Sequence, residues 1–191
     1  VDFLFVVVVD NANDWDVFFT NGLKVPEVFV LTNQDATREA ILKFAAMSAR
    51  NVKAGGTLWV VFIGHGAPNT KGEGLLVGAD AQQSVESLEA RGVRQTELLS
   101  ALKSNSKRTV LILDACFSGR AADGQALAKG VQPVVPLDGV KLPPNTILLS
   151  ASKSTEVAGQ LEGQSRPAFS YLALGALRGW ADDGDGTVTA S

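Results

Sequence analysis

Apolar residues come along this chain in short blocks, and the blocks are of two kinds. Uninterrupted runs rich in Val, Ile and Leu occupy Phe3–Val9, Thr57–Ile63 and Thr109–Asp114, with shorter ones at Glu27–Leu31 and Ile147–Ser150. Runs of that length bounded by turn signals predict buried strands. Between Glu27–Leu31 and Thr57–Ile63 lies a segment of helical spacing, from about Ala36 to Ala49, in which Ile41, Phe44, Ala45 and Ser48 trace one face and Asp35 or Thr37 stands as N-cap. Thr96 is placed to cap a helix carrying Leu98, Leu99 and Leu102. Ser170 is placed to cap one that runs through Leu174 and Leu177 to a stop at Gly179, and a shorter helix is expected from Asp16 to Leu23. Strand and helix signals therefore alternate, which predicts an α/β fold with a mostly parallel central sheet flanked by helices in a three-layer sandwich. Connections between the strands are long enough for parallel crossovers.

Composition narrows this without changing it. At 191 residues, 46% hydrophobic and 19% charged, the chain reads as one globular domain, 1–191, with a core of its own. A net charge of -3 with no basic run gives no electrostatic case for nucleic acid or an anionic membrane. The longest apolar run, Phe3–Val9, is far shorter than the roughly twenty residues a membrane helix needs. Asp2 ahead of it argues against the positive leader of a signal peptide, while a start at Val1 is compatible with a missing leading segment. No compartment is assigned, and no feature fixes an oligomeric state. One cysteine excludes an internal disulfide and the clustered thiols of a structural zinc site.

That cysteine and the one histidine are the candidate chemistry. His65 lies in Ile63-Gly64-His65-Gly66 and Cys116 in Asp114-Ala115-Cys116-Phe117-Ser118-Gly119, so each follows a strand-like run and is met by glycine within three residues. In open parallel sheets, ligands bind beyond the carboxyl ends of the strands. A thiol attacks carbonyl carbon as thiolate and needs a base or cation beside it, a task that suits imidazole near neutral pH. Taken singly, a lone cysteine is more often a small buried apolar residue and a lone histidine a structural group; their matched placement is what favours catalysis.

These stretches resemble the histidine and cysteine motifs of the caspase-like cysteine peptidases, with the metacaspases and bacterial caspase homologues nearest in pattern. The two residues are 51 apart; a separation of roughly fifty is a known mark of that family, matched here rather than derived. Asp114 stands where animal caspases carry glutamine. The resemblance implies a caspase-like fold with a large-subunit-like part (1–118), a linker-like loop (119–145) and a small-subunit-like part (146–191). Glycines 119, 124, 130 and 139 and prolines 133, 136, 143 and 144 break any periodicity in that loop. By the same resemblance it is a place for maturation cleavage, with Arg120, Lys129 and Lys141 as candidate points, or simply a surface loop with ordinary basic residues.

The implied activity is a cysteine endopeptidase acting on a peptide or protein substrate through a Cys116–His65 dyad. The resemblance assigns oxyanion donors to the backbone amides of Gly66 and Cys116; Gly66 fits equally as a turn residue. Strand parity puts Asp114, two positions before Cys116, on the nucleophile's side of the sheet. A carboxylate there favours substrate arginine or lysine over an acidic residue, unless Asp114 only binds local amides at the strand end. Asp14 resembles a second pocket acid, although Asn13-Asp14 is also ordinary turn chemistry. Ile63 stands where metacaspases commonly have serine; it suits the aliphatic stem of a basic side chain or an apolar preference. Ser150 and Ser152 are candidates for the substrate groove, or mark a loop.

No cofactor is assigned, and calcium is left open. Calcium, which activates several metacaspases, needs clustered oxygen ligands; Asp80 and Asp123 match two family positions, but Gln95-Thr96 replaces the acid pair. Asp183-Gly184-Asp185-Gly186 resembles part of an EF-hand loop, yet Ala181 stands at its first ligand position and no closing glutamate follows, so a solvated turn is expected. Two other functions compete with the endopeptidase: a catalytically silent caspase-like binding module, and a Cys-His amidase or peptidase with apolar specificity.

Overall fold

The computed structural model describes residues 2–117, 142–151, 168–186 and 188, with the side chains of 1–9 and of Cys116 outside the description. The chain divides into two compact units, Leu31–Ala158 and one that joins Val1–Val30 to Gly159–Ser191.

The larger unit is built on a mixed sheet of five described strands in the order β3-β2-β1-β4-β5. They are β1 (Thr57–Pro68), β2 (Gly74–Val77), β3 (Gly92–Arg94), β4 (Arg108–Cys116) and β5 (Thr146–Ser150). The three strands expected here from their apolar runs are the parallel part: β1 pairs with β4 from Thr57↔Arg108 to His65↔Cys116, and β4 with β5 from Thr109↔Thr146 to Leu113↔Ser150. β2 and β3 extend the sheet antiparallel on the other side of β1. At four and three residues they are too short to stand out by pattern. The connections β1–β4 and β4–β5 exceed the dozen residues that a parallel crossover needs.

Alternation sorts the sheet into two faces. Leu58, Leu111, Leu113, Ala115 and Leu76 join Ala45 and Ala49 of α2 (Arg38–Asn51) and Leu98, Leu99 and Leu102 at α4 (Gln95–Ala101) in the main core, with Val60, Phe62 and Leu148 packed against it. Thr37 caps α2, its hydroxyl accepting from the Ala40 N–H at 3.2 Å, as one of the two expected caps. α4 begins differently from the expectation: Thr96 lies inside it, and the Glu97 carboxylate accepts from the Arg94 N–H at 3.1 Å. A third helix, α3 (Val85–Arg91), is capped by Ser84 and covers a smaller cluster of Ala67, Leu75 and Leu88.

Four expectations are corrected outside the sheet. Phe3–Val9 is not a strand but part of α1 (Asp2–Val17). A short β-branched run does not by itself distinguish strand from buried helix. Further along this segment Trp15, Phe18 and Phe19 are spaced as helical neighbours and pack on one another, with centroids 5.6–6.0 Å apart. The helix expected at Asp16–Leu23 is the end of α1 followed by a wide turn, Phe18–Gly22. Glu27–Leu31 is not a strand among the described residues: Glu27 and Val30 are exposed, so the run offers no continuous buried face to pin a register. In α5 (Ala168–Gly175), Ser170 is a fully buried interior residue rather than a cap. The expected stop at Gly179 is present, at φ 111°. Among the described residues no helix is long and apolar enough to cross a membrane.

Candidate active site

β1 changes partner at its carboxyl end. Through His65 it runs parallel to β4; from Gly66 to Pro68 it pairs antiparallel with β2 instead. His65 is therefore the last residue of the parallel ladder, and its partner Cys116 is the last residue of β4. Neighbouring strands lie about 4.8 Å apart, so the two backbones stand side by side at one level, where strand order offers an opening toward ligand.

The face on which His65 stands follows from alternation. Leu58, Val60 and Phe62 face the α2–α4 core, so Ile63 and His65 face the opposite side. Asp114 is directly opposite Ile63 in the register, and its neighbours Leu113 and Ala115 point into the core, which leaves the Asp114 carboxylate on the His65 face. Asp114 is only 5% exposed, and a buried carboxylate requires partners; it has interactions within the fold. His65 is half-buried, and this desolvation lowers its pKa below the ordinary 6.5 by disfavouring imidazolium. Near neutral pH the ring is the uncharged form, able to accept a proton. Gly66 is buried.

The remaining expected positions do not all gather there. Ser150 closes β5 opposite Leu113, on the face shared with Leu148 and hence away from His65. Asp14 lies on α1 in the other unit, half-buried and with interactions of its own. Ser152, Arg120, Lys129, Lys141 and Asp123, and the loop 119–145 as far as residue 141, lie outside the described residues.

The positions weighed for calcium are otherwise occupied. Asp80 Oδ1 accepts from the Arg38 N–H at 3.0 Å and Asp80 Oδ2 lies 3.6 Å from Arg91 Nη1. The Thr96 hydroxyl is held by the Glu73 carboxylate, and the Gln95 Nε2 that the packing turns inward is a donor, not a ligand. Asp182, Asp183 and Asp185 bring carboxylate oxygens within 4.8 Å of one another; Asp182 Oδ1 accepts from the N–H groups of Gly184 and Gly186, the bonding of a local turn.

What the pattern did not single out is the support behind the two strand ends. After β1 the chain turns through Asn69, a buried residue whose Oδ1 accepts from the N–H groups of Lys71 and Glu73 at 2.9 and 2.7 Å. Glu73 then takes the Thr96 N–H at the start of α4. Pro68-Asn69-Thr70 carries an ordinary turn signal, but its reach to α4 is tertiary.

The fold is the α/β sandwich of the caspase type. The caspase domain family matches residues 10–184, and the chain belongs to that family of cysteine-type peptidases, whose substrates are peptides and proteins. No curated protein matched it closely.

Proposed function

We propose that this chain is an endopeptidase that uses Cys116 as nucleophile and His65 as its proton-transfer partner, and that it cleaves after arginine or lysine. The observation that carries this reading is the direct pairing of His65 with Cys116 at the ends of two parallel strands. The lowered pKa of His65 supports it, because a neutral imidazole can take the thiol proton at pH 7. In the mechanism, the Cys116 sulfur bonds to the scissile carbonyl carbon and the carbonyl electrons move to oxygen. Backbone N–H groups of Gly66 and Cys116 stabilise that oxyanion. On collapse the C–N bond breaks and His65 returns the proton to the leaving amine. Water, deprotonated by His65, then attacks the thioester, releasing the acid and the thiol.

Basic specificity rests on Asp114, a carboxylate two register positions before the nucleophile on the His65 face. A cation brought into a partly desolvated cleft gains a charge-assisted hydrogen bond there, whereas an acidic side chain meets like charge. No cofactor enters the mechanism. The test is a set of fluorogenic peptides ending in Arg, Lys, Asp or Leu, with and without calcium, beside a Cys116→Ala control. Turnover restricted to Arg and Lys and lost in the control is the expected result; turnover surviving Cys116→Ala eliminates the nucleophile, and cleavage only after Asp or Leu eliminates the pocket.

A further inference from the structure

Gly74 opens β2 immediately after the Asn69–Glu73 turn, and two other residues fill the space its side chain would take. A Cβ built there would meet Gln95 Nε2 at 2.6 Å, Gln95 Cδ at 2.9 Å and Phe117 Cδ1 at 3.1 Å. Gln95 and Phe117 are each 4% exposed, so neither has solvent to move into. Three elements thus converge on one point: the start of β2, the start of α4, and the residue that follows Cys116 in the chain. The same point is tied to the end of β1 through Asn69 and Glu73, so it stands behind both strand ends of the candidate site.

Gln95 adds a second observation. Its Nε2 is buried without a hydrogen-bond partner among the described residues, and an orphaned buried amide weakens a fold. Stability alone would place an apolar side chain here; costs of this kind gather where function sets the local arrangement. Packing holds this end of the Gln95 side chain against Gly74, in the space that Phe117 also borders.

Resting on the Cys116–His65 reading, we propose that Gly74 and Gln95 are positioning residues that form the seat for Phe117 and thereby fix the height of Cys116 beside His65. A seat of this kind acts on rate because displacement of a reacting atom by about 1 Å costs on the order of 100-fold. Neither residue touches substrate in this scheme.

The experiment uses Gly74→Ala, Gln95→Ala, Gln95→Met and the double variant Gly74→Ala/Phe117→Leu. Three quantities are measured for each: kcat and KM on an arginine peptide, the pH dependence of Cys116 alkylation by iodoacetamide, and the folded fraction. Gly74→Ala and Gln95→Ala are expected to lower kcat per folded molecule by about 10-fold or more, with KM within twofold and alkylation slowed. Gln95→Met, which keeps the shape, retains kcat within twofold, and the double variant, which removes the seated ring and leaves the closer Gln95 contact in place, does not recover the loss of Gly74→Ala. Unchanged kcat and alkylation in both alanine variants, or losses that track only the folded fraction, overturn the seat. Should Gly74→Ala fail to fold, Gln95→Ala decides by the same criteria. Turnover persisting in Cys116→Ala is a separate result that removes the dyad, while the alkylation profile still reports whether the seat acts on Cys116.

Discussion

Thr57–Ile63 and Phe3–Val9 begin as the same signal, a seven-residue apolar block, and end as different structures: a central strand and a stretch of helix. The neighbours of each block decide the difference. Thr57–Ile63 finds a parallel partner of equal length in β4 and leads into glycine and an antiparallel hairpin. Phe3–Val9 runs on into Asp10-Asn11-Ala12-Asn13-Asp14-Trp15, where the aromatic spacing is helical. A strand's identity is settled by what it pairs with, a helix's by what its own next turns bury. The strand region should accordingly respond to substitution in chemistry, and the aromatic end of α1 in stability.

The largest effects sharpen that contrast. Cys116→Ala and His65→Ala are each expected to lower kcat/KM on arginine peptides by about 10³-fold or more, with melting temperatures near wild type; an active His65→Ala would break the assignment of chemistry to the ladder. Asp114→Asn should cost roughly 10- to 100-fold in kcat/KM on arginine peptides and far less on leucine peptides. Equal losses on both, seen in steady-state kinetics, would reduce Asp114 to a structural carboxylate.

At the other pole, Trp15→Ala should destabilise by about 3–5 kcal/mol, since Trp15 is buried and packs on both Phe18 and Phe19. Denaturant unfolding measures this, and kcat per folded molecule should stay put. A smaller effect belongs to pH. Because burial holds His65 below 6.5, the unfolded chain takes up that proton first as pH falls. The stability His65 contributes is complete above about 6.5 and is lost as pH drops toward the depressed value. Glu89, whose carboxyl is held low first by the Thr70 N–H, adds a further loss at more acid pH. Melting curves from pH 8 to 4 should decline in that order, and His65→Gln should flatten the first part. The smallest expected change is a gain: Gln95→Met removes an orphaned amide and should add about 1 kcal/mol.

The sequence reading went furthest where chemistry and patterning coincide. The runs ending at Ile63 and Asp114 carry the parallel core, and the residues that follow them, His65 and Cys116, are register partners. It went wrong at Phe3–Val9 and Glu27–Leu31, where a β-branched run was visible but the structure around it was not. It was silent on β2, β3 and the seat around Gly74, because three- and four-residue strands hold too few alternations to register, and because the contact of Gly74 with Gln95 and Phe117 joins positions remote in the chain. Ser150 shows the limit of placing residues by proximity to a strand end: its level is near the site, but its face is the other one.

The change of partner along β1 also bears on how the molecule comes into being. Its last residues join a local hairpin that closes over a short turn, whereas its first nine meet β4 only after some forty intervening residues have been gathered in. Local pairings form ahead of distant ones because closing a longer loop costs more entropy and is slower. In the proposed mechanism, catalysis therefore waits on the distant ladder, because the hairpin that holds His65 closes more readily than the pairing that anchors Cys116.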